Sequence, residues 1–146
     1  MANNEPAREL MLQMLHTRMA FRQSIQRVLK ASNIDMTFEM LQVMHCLWIN
    51  QGISQQNLAE QTAKDKACLT NLINNLEKKG WVIRRADSED KRSRLVYLTE
   101  SGEELTLKVN PLIKSIYNEI ELKMSAKQIQ SCFNSMNKVF EILNKI

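Results

Sequence analysis

Apolar residues recur at helical spacing in six segments of the chain and crowd into two short β-prone runs. Residues 7–30 predict a long helix, with Leu15, Met19 and Arg22 on one side and Phe21, Ile25, Val28 and Leu29 continuing an apolar stripe. SNID at 32–35 interrupts it, and Thr37 is placed to cap a second helix running to about Ile49, with Leu41, Met44, Leu47 and Trp48 at helical spacing. Gln51-Gly52 ends that helix. Ser54 opens a short third helix, SQQNLAEQ, that turns Leu58 and Ala59 inward. After a turn at Thr62-Ala63, a longer helix is expected over about 65–79, with Leu69, Leu72, Ile73 and Leu76 as its inner face and Gly80 closing it. WVIRRA (81–86) and RLVYLT (94–99) read as two strands of a hairpin around the polar loop DSEDKRS. Two isolated strands are not stable, so the hairpin must lean on the helices. Thr99 is placed to cap a helix carrying Leu105, Val109, Leu112, Ile113, Ile116 and Ile120, which Pro111 should bend. Ser125-x-x-Gln128 opens the last helix with a capping box, and its stripe is Ile129, Phe133, Met136, Phe140 and Leu143.

Composition narrows the class. The chain has 146 residues, the size of one domain, with 44% hydrophobic and 25% charged residues. Only three Gly and two Pro leave few breaks, which favours long helices. No apolar stretch approaches the roughly 20 residues of a bilayer span, so no membrane partner is expected. The opening residues MANNEPAREL carry no basic-then-apolar targeting pattern. Cys46, Cys68 and Cys132 are an odd set without CxxC spacing, so a disulfide framework is not expected and a reducing, cytoplasmic setting is.

The net charge of +4 is modest, but its location is informative. Between Lys64 and Arg94 stand nine basic residues and five acidic ones, and the rest of the chain is balanced. All the excess positive charge therefore sits in one central stretch, the footprint expected for a polyanion partner. The order there is short helix, turn, longer helix, hairpin, which is the order of a winged helix-turn-helix. A helix fits the DNA major groove and shows its exposed side chains to base edges, while a basic hairpin tip reaches an adjacent groove or its phosphates. Lys64 and Lys66 suit phosphates or guanine, Asn71 and Asn74 can pair bidentately with adenine, and Thr70 can touch either base or phosphate. Taken alone, an amphipathic helix with a Lys/Asn face is more often simply solvated. The hairpin and the localised charge shift that balance.

The stretch from Ile53 to Leu105 resembles the DNA-binding core of the MarR (multiple antibiotic resistance regulator) family. The family pattern at the wing, Asp-x-Arg, five residues, then Leu-Thr-x-x-Gly, is met by Asp90, Arg92, Leu98, Thr99 and Gly102. Leu58-Ala59-Glu60 and Leu76-Glu77-Lys78-Lys79-Gly80 match upstream. The resemblance implies a mostly α fold with a small β-hairpin wing, a single MarR-like domain over 1–146 whose reading core is 37–105, and dimerisation helices at 7–30 and 106–146. It implies a sequence-specific transcriptional regulator, a ligand-responsive repressor that binds a pseudo-palindromic double-stranded operator as a homodimer. The DNA-binding set is then Lys64, Lys66, Ala67, Cys68, Thr70, Asn71, Asn74, Lys91, Arg92 and Arg94. Arg92 enters the minor groove and Asp90 holds Arg92 in its working rotamer through a salt bridge. Asp87 and Glu89 are expected to point away from DNA. Leu98 anchors the strand, Thr99 caps the helix and Gly102 allows close packing. Where the family often has Ser-Thr-Val-Thr-Arg, this chain has Ala67-Cys68-Leu69-Thr70-Asn71, so no operator sequence carries over.

The remaining residues leave narrower alternatives. Cys68 reads first as a small half-buried thiol and second as a redox switch. His16, His45 and Cys46 are thin material for a metal sensor. Met11, Met14, Met19, Met40 and Met44 read as core filling before they read as an adaptable effector pocket. No Ser/His/Asp set, paired carboxylates, HExxH or Gly-rich phosphate loop is present, so neither an enzyme nor a cofactor or metal is expected. The competing classes are a redox- or metal-responsive regulator of the same fold, and a winged-helix protein–protein adaptor.

Overall fold

The computed structural model describes residues 4–146. Residues 1–3, part of the stretch inspected for a targeting signal and of the expected 1–146 domain, lie outside the described residues. The described residues form two compact units, one ending at Leu112 and one spanning Ile113–Ile146.

In the first unit, α1 (Pro6–Ala31) starts on a proline, whose missing N–H costs nothing in a first turn. The next helix, α2 (Phe38–Ile49), is capped by Thr37, whose side chain accepts from the Met40 N–H at 3.1 Å. Gly52 follows at φ +76°, and a Cβ there would lie 2.9 Å from the Tyr97 ring, so the turn needs glycine twice over. That turn creates an element the alternation did not predict. Residues Ile53–Ser54 form a short strand, β1. Then come α3 (Gln55–Gln61), capped by Ser54, and α4 (Lys66–Lys78), capped by Asp65. The strands β2 (Val82–Ala86) and β3 (Arg94–Leu98) form the expected hairpin. The sheet nevertheless has three antiparallel strands in the order β1-β3-β2, not two, with Ile53 opposite Val96 and Arg84 opposite Val96 on the other side. The third strand ties the hairpin to the start of α3 and so fixes the wing against the helices.

Val43, Leu47, Leu58, Ile73, Leu76 and Val96 have no exposed surface, and Ile25, Leu29, Met44 and Leu69 have almost none. Each contributes about 1.5–3 kcal/mol of burial. Helix α5 (Glu100–Lys123) begins in this unit. Thr99 Oγ1 accepts from the Gly102 N–H at 3.0 Å and donates to the Gly80 carbonyl at 2.6 Å, so one hydroxyl joins the end of α4, the end of β3 and the start of α5. A Cβ on Gly102 would lie on the Trp81 carbonyl oxygen, which explains a glycine inside a helix. Pro111 stands within α5, which runs on through it.

The second unit holds the rest of α5 and α6 (Ala126–Asn144), the latter opened by the expected capping box between Ser125 and Gln128. No residue of α6 is buried, and Phe133, Met136, Phe140 and Leu143 are all exposed. Among the described residues no helix is long and apolar enough to cross a membrane.

Candidate nucleic-acid interface

The start of α4 is built by the Asp65 carboxylate, which accepts from the Cys68 N–H at 2.7 Å. This cap leaves Lys66, Ala67, Cys68 and Asn71 exposed on the outward side of the helix, along with Asn75 and Lys78. The inward side is Leu69, Ile73 and Leu76.

Three residues expected on the open face are engaged elsewhere. Lys64 turns back to α2, where its Nζ donates to Gln42 Oε1 at 2.9 Å. Thr70 is half-buried between helices. Its Oγ1 accepts from Gln55 Nε2 at 2.9 Å and donates to the Lys66 carbonyl at 2.8 Å, locking α3 onto α4. Asn74 is also half-buried, and its Oδ1 accepts from the Arg84 guanidinium at 2.5 Å. The same Arg84 nitrogen lies 2.5 Å from Glu77 Oε1. By helical period alone Asn74 belongs on the outward face, but β2 packs along that flank and Arg84 reaches over it.

The wing tip is ordered by its own carboxylates. Asp87 Oδ1 accepts from the Glu89 N–H at 2.9 Å, and Asp90 Oδ1 accepts from the Arg92 N–H at 3.0 Å. The Asp90–Arg92 relation is therefore a turn-forming bond to the backbone, in place of the expected salt bridge to the guanidinium. The bond fixes the Arg92 main chain and leaves its head group exposed. Lys91 and Arg94 are exposed as well. Arg85, by contrast, lies over the Tyr97 ring at 5.7 Å.

Between α3, the start of α4 and the wing lies a cleft of about 590 Å³ lined by Gln55, Gln56, Lys66, Leu69, Asp90, Arg92 and Arg94, with Ala59 and Ser93. Three cations from two different elements thus face one space. Gln55 and Gln56 were not singled out from sequence; their signal is their place in the first turn of α3, directly after the cap. The far end of α4 is tied down separately. Lys79 Nζ is 2.8 Å from Asp35 Oδ2 and 5.1 Å from the Trp81 ring centre, and this ammonium holds the Asp35 carboxyl below its ordinary pKa. Among the described residues no three His, Cys, Asp or Glu side chains converge as a metal site would require.

This geometry can be set beside known proteins. The model of the MarR family matches residues 37–93. The transcriptional regulator HosA of Escherichia coli O157:H7 is 33% identical over 94 residues, which cover 64% of this chain and 70% of that one. Among solved structures, a mutant MarR from E. coli complexed with operator DNA superposes with a TM-score of 0.82 at 21% identity, covering 94% of this chain and 99% of that one. NadR in complex with 4-hydroxyphenylacetate superposes at 0.74 with 24% identity, covering 88% and 89%. The two structures share the fold of this chain, which has six helices and a small three-stranded sheet among the described residues. With the matched family model, and with HosA similar over more than two thirds of its own length, the chain belongs to the MarR family of transcriptional regulators.

Proposed function

We propose that the protein is a non-catalytic, sequence-specific DNA-binding regulator that acts as a homodimeric repressor on a pseudo-palindromic operator. The observation that carries this reading is the cleft. Lys66 at the start of α4 and Arg92 and Arg94 on the wing face it from two sides, and their charges are not spent on ion pairs among the described residues. A phosphate strand running between a helix in the major groove and a wing over the minor groove fits such a space. Ala67, Cys68 and Asn71 lie on the outward face as base-contacting candidates, and Lys91 extends the wing tip. Lys64, Thr70 and Asn74 have supporting roles behind that face, and Asp90 shapes the turn that presents Arg92. The dimer is supported by the uncovered apolar residues Leu12, Leu15 and Met19 on α1 and Phe133, Met136 and Phe140 on α6, which are costly to leave in water. Selection of random duplexes by the purified protein should enrich two inverted half-sites about 34–36 Å apart. Asn71→Ala should relax the preference at one position per half-site, by ~1–3 kcal/mol if the pairing is bidentate. Enrichment of no sequence would refute the reading.

Regulation by a small effector is the second part of the proposal. A crevice of about 670 Å³ opens beside the end of α1, lined by Gln23, Arg27, Lys30, Ile34 and Asp35 among others. Asp35 is also the partner of Lys79 at the end of α4, so an anion held by Arg27 and Lys30 would act on the α4 anchor. The crevice can alter DNA affinity only through different affinities for two arrangements of the reading head. If no small organic anion, metal or oxidant changes DNA affinity by more than about tenfold, ~1.4 kcal/mol, this part fails.

A further inference from the structure

We propose that Arg84 is a specificity-determining residue that acts by withholding Asn74 from the DNA, so that base recognition is confined to the first half of α4. The inference rests on the DNA-binding reading above. Asparagine reads adenine with its carbonyl oxygen and its amide NH₂ side by side, one accepting and one donating. In this chain Asn74 Oδ1 is turned toward the Arg84 guanidinium at 2.5 Å, and the same nitrogen is 2.5 Å from Glu77 Oε1. The pair is partly shielded, with side-chain exposures of 26% for Arg84 and 32% for Glu77. A charge-assisted bond in such surroundings is among the stronger ones a side chain makes. Swinging Asn74 out to a base would leave a half-buried guanidinium with one partner fewer, a cost that water would only partly offset.

Arg84 is well placed for this. It lies in β2, opposite Val96 of the central strand, so its backbone is held by the sheet. From there it spans to two successive turns of α4, at Asn74 and Glu77. One residue thus sets the wing strand against the reading helix and removes a competent base reader from the exposed face. Asn71, one turn earlier, is exposed and makes no hydrogen bond through its side chain among those described, so it is the asparagine left to read.

The test is duplex selection with the purified protein and four variants. Asn74→Ala in the otherwise native chain should enrich the same bases as wild type. Arg84→Met should acquire a new preference of about tenfold at one position per half-site, and Arg84→Met/Asn74→Ala should lose it. Glu77→Ala, which removes the ion pair but keeps Asn74 as a partner of Arg84, should lower thermal stability and leave the base preferences unchanged, which separates instability from specificity. If Asn74→Ala alone alters the preferred bases, the proposal is wrong. It also falls if Arg84→Met shows no Asn74-dependent preference. Should Arg84→Met not fold, the Asn74→Ala arm still decides it: unchanged preferred bases support the proposal and altered ones overturn it. Failure of the wild-type protein to enrich any sequence would sink the DNA-binding reading itself, a result distinguishable from either of these.

Discussion

The steepest quantitative consequence of the interface is its salt dependence. Of the nine basic residues from Lys64 to Arg94, four are engaged within the chain. Lys64 donates to Gln42, Lys79 pairs with Asp35, Arg84 pairs with Glu77, and Arg85 lies over Tyr97. Lys78 is exposed near the far end of α4 and away from the cleft. That leaves Lys66, Lys91, Arg92 and Arg94 at the cleft and wing tip of each head. Two heads neutralising about eight phosphates give a slope of log K against log[salt] of about −7, since each neutralised phosphate contributes about −0.9. Between 50 and 200 mM salt that is a loss of affinity of roughly 10⁴-fold. Arg92→Ala removes one contact per head, so the slope should flatten by about 2 and the loss should shrink to roughly 10³-fold. Lys79→Met removes a charge already spent on Asp35 and should leave the slope nearly unchanged. The assay is fluorescence anisotropy of a labelled duplex over a series of KCl concentrations, with folding checked by circular dichroism. A wild-type slope shallower than about −3 would refute the count. Equal slopes for wild type and Arg92→Ala would refute the role of the wing.

Three further outcomes follow from the packing. Gly102→Ala would raise stability by about 1 kcal/mol in an ordinary helix interior; here its Cβ meets the Trp81 carbonyl oxygen, so urea denaturation should show a loss of about 1–3 kcal/mol. Burial pushes the Glu39 carboxyl up, but the Arg22 hydrogen bond, a backbone hydrogen bond and the charges of Arg22 and Lys64 together outweigh it, so its pKa lies below the ordinary value. A depressed carboxylate stabilises the fold above its unfolded pKa, and that contribution is lost as pH falls through the lower folded value; in Arg22→Leu the Glu39 pKa should rise from its wild-type value by carboxyl NMR, and an unchanged pKa would refute the role of Arg22. Replacing Phe133 and Phe140 by Asp should convert a particle of twice the 17.0 kDa chain mass into a monomer by light scattering, and an unchanged mass would remove α6 from the dimer interface.

What could be read ahead of the structure were features set by neighbours in sequence. Thr37, Ser54 and Ser125 each accept from a backbone N–H three residues on, so caps follow from residue type and the start of an apolar period. Gly102 and Thr99 were legible for a related reason, because the pattern Leu-Thr-x-x-Gly holds both partners of the bond. What escaped depends on residues far apart in the chain. Two residues, Ile53 and Ser54, are too few to show alternation, and they become a strand only because Val96 and Leu95 offer an edge. Asn74 sits outward by period and is claimed by Arg84, ten residues later, across an angle set by the sheet. Lys64 reaches Gln42, twenty-two residues earlier, for the same kind of reason. Asp90 shows a finer limit: its proximity to Arg92 was evident, but whether the carboxylate takes the guanidinium or the amide is decided by the turn.

The central claim is that α4 and the wing together read a DNA sequence. It is tested most directly by titrating the purified dimer against its selected duplex and against a shuffled duplex of equal length and composition, both at 150 mM salt. The selected duplex should bind at least about 10³-fold more tightly. Equal affinities for the two would show that the basic stretch from Lys64 to Arg94 attracts polyanions without reading them, and would contradict the account.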